Sequence, residues 1–309
     1  MGCPQGSILG PLMYSIYVND IFNVAHTVKC VLYADDTAII VSANSLDALL
    51  TLSKHYFTLF SNWFSVNKLC LNDGKTHFII FGLTVDSNDC NTIVFDNHNV
   101  CRVSDVRYLG ICIDERLNWH THISAVRDKL AKGVGILNMC YFYLPKQCLL
   151  SIYYSFILPH LLYGIEFWGS TFTSYLQPLR VLQKKCIRQI CHVNRLAHCA
   201  PLANDLGVLL LDDLYFYSLA CFMFKINHNL ISSNICSLFV KSTNIHSHKT
   251  RSHSVHFYVP QCSCTARYNF LLFQGTTCWN GLSSEIVNLC SFSKFKQCVK
   301  CLVSAKYSQ

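Results

Sequence analysis

Residues 28–41 read Val-Lys-Cys-Val-Leu-Tyr-Ala-Asp-Asp-Thr-Ala-Ile-Ile-Val and carry the strongest structural signal in the chain. Apolar and β-branched runs on either side of Ala34, Asp35 and Asp36 predict a β-hairpin with an acidic tip. Carboxylates at the tip of a rigid hairpin are suitable ligands for a hard cation such as Mg²⁺. Aspartate is also a common turn residue, so the hairpin taken alone more often indicates a solvated turn.

Helices and strands alternate around this hairpin. A helix is predicted at 7–23, and strands are predicted at 75–81 and 108–114, with a second hairpin at 92–103. Apolar residues at helical spacing predict an amphipathic helix directly after the acidic hairpin: Leu46, Leu49, Leu50, Tyr56, Phe57, Phe60, Trp63 and Phe64. This mixture predicts an α+β fold for the front of the chain.

The pattern becomes purely helical after Trp119. Helices are predicted over 145–163 and 176–191, and residues 242–267 form a polar, His- and Ser-rich loop. Two apolar sets mark a helix near the boundary and a weakly helical tail: Ile123, Val126, Leu130, Val134 and Leu137, then Phe292, Phe295, Val299 and Leu302. The sequence therefore predicts three regions, at 1–115, 116–241 and 242–309.

Charge is distributed unevenly along the 309 residues. The formal net charge is +8, but residues 1–110 carry six Lys/Arg and nine Asp/Glu (6 − 9 = −3). The remainder therefore carries 19 against eight (19 − 8 = +11). This asymmetry favours an acidic, metal-binding front and a back that contacts a polyanion.

The 19 cysteines show no disulfide framework spacing, and no targeting segment is evident ahead of them. This favours free thiols in a reducing intracellular compartment, the nucleus or cytoplasm. The most apolar run, residues 149–168, is interrupted by polar side chains. A buried helix is therefore predicted there rather than a membrane span, and no membrane partner is expected.

Four motifs in a fixed order give the chain a family resemblance. Residues 2–12 read Gly-Cys-Pro-Gln-Gly-Ser-Ile-Leu-Gly-Pro-Leu and precede the Tyr-Ala-Asp-Asp hairpin by one helix. Residues 71–76 read Leu-Asn-Asp-Gly-Lys-Thr, and 108–119 contain Tyr-Leu-Gly-Ile followed by Leu-Asn-Trp. The set resembles the reverse transcriptases of non-LTR (LINE or jockey-like) retrotransposons. The resemblance is strong over 2–120 and looser through 158–168 and 270–282, where Trp279 and Asn280 lie.

The resemblance implies roles for the acidic hairpin and the first motif. Asp35 would be a ligand for Mg²⁺, or Mn²⁺ in its place, with Asp36 as a secondary carboxylate. Pro4, Gln5 and Gly6 would lie against the template and the incoming nucleotide, where a glycine lets the backbone approach closely.

The resemblance also assigns roles to the later motifs. Lys75 would face the pyrophosphate leaving group as a proton donor or charge stabiliser, although an ordinary exposed lysine is the simpler interpretation without this context. Tyr108, Leu109 and Gly110 would form the primer grip. The implied fold is a partial right-hand palm, with an antiparallel sheet and helices, followed by an all-helical thumb and C-terminal region.

One metal ligand of the family is not found in this sequence. The family carries another metal-binding aspartate on a palm strand before the Pro-Gln-Gly segment, and the first aspartate here, Asp20, falls in a predicted helix. The resemblance thus implies an N-terminally truncated domain with an incomplete two-metal site. The expectation is that this chain alone does not polymerise DNA.

A basic stripe is predicted on the helix at 176–191. Arg180, Lys184, Lys185 and Arg188 follow i, i+4, i+5, i+8 spacing and could track a nucleic-acid backbone. From four charges alone a solvated helix face is an equally good interpretation. The position after a palm favours nucleic acid.

Cysteine and histidine pairs carry ligand-type residues but lack paired zinc spacing, so no zinc is assigned. The pairs are Cys262 with Cys264, Cys298 with Cys301, Cys191 with His192 and His198 with Cys199. Most of these paired cysteines are predicted to be small buried core residues. Four loop histidines are predicted to face water: His246, His248, His253 and His256.

The expected function by family is RNA-directed DNA polymerisation, with an RNA template and a DNA primer as partners. The rival interpretation is a non-catalytic nucleic-acid-binding remnant or a decayed open reading frame without selected activity. A polymerase of the group II intron or telomerase type is a third possibility, which the segment at 108–110 disfavours.

Overall fold

The computed structural model describes residues 6–82, 92–95, 98–245, 256–262 and 265–307. The chain divides into two compact units, Met1–Arg116 and Leu117–Gln309. The first unit mixes helices with small sheets and the second is helical, so the chain is α+β.

In its described residues the first unit contains two α-helices, a 3₁₀ segment and seven short strands. In chain order these are α1 (Gly10–Tyr17), the 3₁₀ segment (Asn19–Asn23), β1 (Lys29–Tyr33), β2 (Asp36–Ile40), α2 (Leu46–Val66), β3 (His77–Phe78), β4 (Thr92–Phe95), β5 (His98–Arg102), β6 (Asp105–Tyr108) and β7 (Ile111–Asp114). Helix α2 starts where the Ser45 side chain accepts a hydrogen bond from the Ala48 backbone N–H at 3.3 Å.

The strands form three separate small sheets. β1 pairs antiparallel with β2, and β6 pairs antiparallel with β7. β5 lies between β4, which is antiparallel to it, and β3, which is parallel. The acidic hairpin predicted from residues 28–41 is thus formed.

Three predicted elements of this unit need correction. Residues 108–114 are not one strand: Leu109 (φ +46°) and Gly110 (φ +82°) make a tight turn between β6 and β7. The strand predicted at 75–81 is only two residues long, because residues 73–75 continue the preceding turn. The helix predicted at 7–23 ends at Tyr17, and Asp20 lies in the 3₁₀ segment that follows.

The first unit buries few side chains. A compact cluster in its described part is Val100, with Leu50, Phe57 and Phe78 packed against it. Helix α1 contains no buried residue, and large apolar side chains on and before it are exposed: Ile8, Leu9, Leu12, Met13, Ile16 and Tyr17. An exposed apolar patch of this kind is typical of a surface that another polypeptide segment covers.

The second unit contains twelve α-helices in its described residues. They are α3 (His120–Cys140), α4 (Lys146–Phe156), α5 (Leu158–Leu162), α6 (Ile165–Trp168), α7 (Thr173–Ile190), α8 (Cys199–Leu206), α9 (Leu211–Asn227), α10 (Ser233–Cys236), α11 (Thr265–Tyr268), α12 (Leu271–Asn280), α13 (Ser284–Val287) and α14 (Phe292–Ser304). Two 3₁₀ segments, Ser242–Asn244 and Ala305–Tyr307, complete it.

Two predictions for these helices are corrected. The helix predicted over 145–163 breaks at Ile157, because Pro159 cannot donate the backbone hydrogen bond that a continuous helix needs. In α14 the buried apolar side chains are Phe295, Val299 and Val303, so Leu302 is not part of the buried face. The apolar stripe predicted for α3 is buried throughout.

Two hydrophobic cores stabilise the helical unit. The first core contains side chains from each of the helices α3 through α7, and fully buried residues such as Leu130, Trp168 and Ile187 lie at its centre. The second joins α9, α12 and α14 around Phe224, Trp279 and Phe295. Within the described ranges no single helix is long and apolar enough to cross a membrane. Taken together, α8 (Cys199–Leu206) and α9 (Leu211–Asn227) would be long and apolar enough, but the chain bends by 47° between them.

No disulfide bond joins two cysteines within the described part of the chain. Cys186 and Cys199 are buried, but six others are exposed: Cys70, Cys101, Cys148, Cys290, Cys298 and Cys301. Among the described cysteines of the pairs named above, Cys199 alone is buried, so the prediction that most of them are buried core residues is wrong. Cys264, His246, His248 and His253 lie outside the described residues.

Candidate functional site

The acidic hairpin places its two carboxylates differently. Tyr33 pairs with Asp36 across the ladder, so the tip consists of Ala34 and Asp35 alone, and Asp36 is the first residue of β2. Ala34 has a φ of +51°, which a two-residue hairpin turn requires at its first position when the strands keep their natural twist. Both aspartates are exposed.

Alanine at the tip carries a conformational cost that glycine or asparagine would avoid. Backbone strain at a turn that presents charged groups is common where the turn has a function. The small side chain of Ala34 also leaves space beside the Asp35 carboxylate. This combination favours a binding turn over an ordinary surface turn.

Two tyrosines lie within electrostatic range of the hairpin. Burial raises the pKa of the Tyr108 phenol above its ordinary value, and the Asp36 carboxylate and Cys30 raise it further. Burial, with Asp35 as a second cause, also raises the pKa of Tyr14. Tyr108, which the resemblance implies for the primer grip, is thus brought beside the acidic turn.

The Tyr108 hydroxyl oxygen is buried and has no hydrogen-bond partner within the described residues. An unsatisfied buried hydroxyl costs about 1–3 kcal/mol, which a ligand group reaching it could recover. The turn formed by Leu109 and Gly110 fixes the end of β6 and so fixes the position of this side chain.

Replacing Asp36 with Asn is expected to lower the Tyr108 pKa towards its ordinary value, because the nearby negative charge that disfavours the phenolate is removed. NMR titration of ¹³Cζ-labelled tyrosine, with Tyr108 assigned by Tyr108→Phe, measures the shift. The matched control is Asp73→Asn, which removes the same charge elsewhere in the unit. A Tyr108 pKa that moves equally in both variants would contradict the placement of Asp36 beside it.

The first motif is only partly described. Pro4 and Gln5 lie outside the described residues. Gly6 has a φ of +87°, and a side chain added there would meet no atom within 4 Å. Glycine is therefore favoured at this position by its backbone conformation, and the space beside it is open.

Lys75 lies at the end of a turn that the Asn72 carbonyl organises. That carbonyl accepts hydrogen bonds from the Lys75 and Thr76 backbone N–H groups at 3.0 and 2.9 Å. The Lys75 side chain is exposed, and no ion pair joins it to Asp35 or Asp36 in the described part of the chain. The structure does not bring this lysine together with the hairpin.

The donor set at the hairpin suits Mg²⁺ or Mn²⁺ in chemical type, since both ions prefer hard carboxylate oxygens. Two carboxylates are fewer ligands than an all-protein site uses. No group of three or more His, Cys, Asp or Glu side chains that could hold a metal occurs among the described residues. The hairpin therefore supplies two carboxylates of the chemical type that such an ion binds.

The four basic residues of α7 have different surroundings. Arg180 makes an ion pair with Asp212 at 2.7 Å and donates to the Thr173 carbonyl at 3.2 Å. Arg188 donates to the Ala197 carbonyl at 2.8 Å. Among the described residues no such partner contacts the side chain of Lys184, which is half-buried, or that of Lys185, which is exposed. The charge available to a ligand is thus concentrated towards the C-terminal half of α7.

Sequence reasoning did not single out Tyr14 or Asp212. Tyr14 lies on α1 within the segment after the first motif, and nothing in the local sequence indicates that it approaches Asp35. Asp212 is 32 residues from Arg180, and an acidic residue in the first turn of α9 is ordinarily explained by helix electrostatics.

Comparison with known proteins gives one family and several relatives. The family described as reverse transcriptase (RNA-dependent DNA polymerase) matches residues 1–113. The RNA-directed DNA polymerase from mobile element jockey of Drosophila melanogaster is 28% identical over 226 residues, covering 69% of this chain and 24% of the relative.

Two other relatives also come from mobile elements. The jockey polymerase of Drosophila funebris is 27% identical over 61% of this chain and 22% of its own length. The Pol polyprotein from the type-1 retrotransposable element R1 of Bradysia coprophila is 28% identical over 62% of this chain and 20% of its own length.

The chain thus spans about a quarter of the length of these curated relatives. No solved structure matches it. The aligned regions of the relatives extend beyond the family match at residue 113 and so include part of the helical unit. Residues 1–113 therefore match the reverse transcriptase family, and the relatives of this chain come from jockey, R1 and other non-LTR retrotransposons.

Proposed function

We propose that this chain is the palm portion and the helical thumb and C-terminal region of an RNA-directed DNA polymerase. The observation that carries the proposal is the β1–β2 hairpin, which presents two adjacent exposed carboxylates, Asp35 at its strained two-residue tip and Asp36 at the start of β2. The family match over residues 1–113 and the division of the chain at Arg116 support it. Residues 1–115 would be palm, 116–241 thumb, and 242–309 a loop and helical tail.

The reverse transcriptase family uses divalent metal ions and binds a template and a primer. In such a site the ions stabilise the attacking and leaving oxygens of phosphoryl transfer. Asp35 would hold Mg²⁺ or Mn²⁺ as a principal ligand, with Asp36 beside it. We assign Tyr108 and its turn to the primer grip, because pairing with β7 holds this segment and the Asp36 carboxylate acts on the Tyr108 phenol, whose pKa burial raises.

Pro4, Gln5 and Gly6 would contact the template and the incoming nucleotide, with the open space beside Gly6 allowing close approach. Lys75 would stabilise charge on the pyrophosphate leaving group. Since no ion pair holds Lys75 within the described residues, it would have to reach the site when substrate binds. The RNA template and DNA primer are the partners that these assignments require.

We further propose that the isolated chain does not polymerise DNA. Two carboxylates supply only part of a two-metal donor set, and the exposed apolar face of α1 is typical of a fold that needs a further segment. Loss of even one transition-state donor costs roughly 10²–10³-fold in rate, and loss of a shared metal ligand is expected to cost more.

A primer-extension assay tests this proposal. The 309-residue chain is incubated with an RNA template, an annealed DNA primer, all four deoxynucleotides and either Mg²⁺ or Mn²⁺, beside the Asp35→Ala variant. We expect no template-dependent product from either protein. Extension by the unchanged chain that disappears in Asp35→Ala would confirm the hairpin's role and disprove the inactivity of the isolated chain.

A second candidate is a non-catalytic nucleic-acid-binding protein. The excess of basic residues in the helical unit favours it, with Lys184 and Lys185 available on α7. Template-primer binding without extension, unchanged by Asp35→Ala, is the result this candidate predicts.

A further inference from the structure

A groove lies where α3 and α7 end. It has a volume of about 330 Å³ and is lined by residues of both helices and of the loop after α7: Asn138, Tyr141, Phe142, Lys185, Arg188, Gln189, Val193 and Arg195. The Gln189 side-chain amide donates to the Asn138 side chain and so ties the two helices together at its floor.

The groove carries positive charge only. Lys185, Arg188 and Arg195 line it, and no acidic side chain does so among the described residues. Helix C-termini are electronegative and would by themselves repel an anion. Three cations at this place therefore overcome the local backbone field and favour an anionic partner.

Aromatic rings stand beside these cations. Phe142 is 83% exposed, and Tyr143, next in sequence, is 85% exposed. Tyr141 holds Phe142 edge-on at 4.6 Å between ring centroids and contacts the His192 ring at 4.7 Å. An exposed phenylalanine supported from below by a second ring presents its face to solvent at little cost in conformational entropy.

The basic side chains are partly fixed in place. Arg188 donates to the Ala197 carbonyl at 2.8 Å, which anchors the loop that carries Val193 and Arg195. His192 has a φ of +52°, so this loop leaves α7 through a sharp change of direction. The groove is therefore formed by folded backbone and not by side chains alone.

We infer that this groove binds an unpaired polynucleotide, with a base stacked on Phe142 and phosphates held by Lys185 and Arg195. Single-strand binding requires two features: cations that follow the phosphate backbone, and exposed aromatic rings on which bases stack. A duplex would offer its phosphates but not an open base face. The inference adds a second nucleic-acid contact to the proposed function and does not depend on the hairpin.

Fluorescence anisotropy of labelled 12-nucleotide oligouridylate and oligothymidylate tests the inference on the full chain, without divalent metal. Phe142→Ala is expected to raise Kd about fivefold or more, the loss of one stacked base. Phe142→Trp is expected to stay within about twofold of the unchanged chain, because tryptophan also stacks. Phe156→Ala, which removes a half-exposed ring from α4, is the matched control and should leave Kd unchanged.

The contribution of the positive charges is tested with two double variants, each of which removes two positive charges. Lys185→Gln with Arg195→Gln should reduce the slope of log Kd against log salt by about 1.4, since each single-strand phosphate contact contributes about 0.7. Lys129→Gln with Lys132→Gln, on the exposed side of α3, should leave the slope unchanged. Circular dichroism melting of every variant checks that the fold is kept.

The inference is supported if binding of either oligonucleotide weakens in the groove variants and not in the control variants. A preference for one of the two oligonucleotides shows whether the natural ligand is RNA or DNA. Equal competition by a 12-base-pair duplex, or equal losses in the control variants, overturns it. Phe142-dependent binding to phosphatidylserine vesicles without oligonucleotide binding also overturns it. Because the assay omits metal and primer extension, its failure is distinguishable from failure of the polymerase proposal.

Discussion

Replacing Gln183 with Met is expected to lower the free energy of unfolding of the helical unit by about 3 kcal/mol or more. Gln183 is 1% exposed and lies in α7 between two other elements. Its amide donates to the Tyr153 hydroxyl and to the Leu209 carbonyl, both at 3.0 Å. Its carbonyl oxygen accepts from the Leu211 backbone N–H at 2.8 Å.

The loss of stability in Gln183→Met comes from the buried hydrogen-bonding groups that lose Gln183 as a partner. Methionine fills nearly the same volume but leaves the partners on Tyr153, Leu209 and Leu211 buried without Gln183, at about 1–3 kcal/mol for each orphaned group. The Leu211 N–H belongs to the start of α9, so this helix also loses a partner for an N-terminal donor. The network therefore fixes α9 against α4 and α7.

Urea unfolding of the full chain, followed by circular dichroism at 222 nm, measures this loss. Gln147→Met is the matched control, since Gln147 is exposed on α4, and it should change stability by less than about 0.5 kcal/mol. A loss below about 1 kcal/mol in Gln183→Met would contradict the network as described.

Replacing Trp279 with Ala is expected to cost about 3–5 kcal/mol, the usual effect of emptying a fully buried aromatic site. The Trp279 ring is 0% exposed, stacks on Phe295 at 5.9 Å and meets the edge of Phe257 at 6.2 Å. The neighbouring Asn280 holds the Phe257 backbone by two hydrogen bonds, at 2.8 and 3.0 Å. The second core would lose its centre.

Thermal unfolding of the full chain checks this prediction. Trp279→Phe keeps part of the stacking and should lose less than Trp279→Ala. Phe270→Ala, at a 55% exposed position beside the same helix, should change the midpoint little. If the Trp279→Ala chain melted with the midpoint of the Phe270→Ala chain, the described core would be wrong.

The hairpin could be predicted from sequence because its signal is local. Two β-branched runs and a short polar tip specify pairing without reference to the rest of the chain. Its register could not be predicted, because Asp36 pairs with Tyr33 only when Ala34 adopts a positive φ that its residue type does not favour. The prediction therefore placed both aspartates at the tip, where only Asp35 lies.

Backbone turns explain the errors elsewhere. The segment around Leu109 has the composition of a strand, but glycine at Gly110 lets the chain reverse after Leu109. Apolar spacing that continues past Pro159 predicts a helix as far as residue 163, whereas the missing backbone donor of Pro159 ends α4 at Phe156. Periodicity predicts which face is buried better than it predicts where a helix ends.

Long-range contacts were outside the reach of sequence reasoning. The spacing of the basic residues on α7 can be read from the sequence. The ion pair between Arg180 and Asp212, which lies 32 residues further along the chain, cannot. The groove at Phe142 likewise depends on α3 and α7 ending side by side. Such sites arise from tertiary packing between elements that are distant in sequence, which no local pattern encodes.

Manganese titration of the ¹⁵N-labelled full chain, read by NMR, tests whether the Asp35–Asp36 hairpin holds a divalent metal. Paramagnetic Mn²⁺ replaces Mg²⁺ and broadens only the amide signals near its site. We expect the signals of Ala34, Asp35 and Asp36 to broaden at lower Mn²⁺ than those of Asp73 and Asp128. The Asp35→Asn, Asp36→Asn double variant should lose this preference, whereas broadening no stronger at the hairpin than at Asp73, or unchanged in the double variant, would contradict a metal-binding turn.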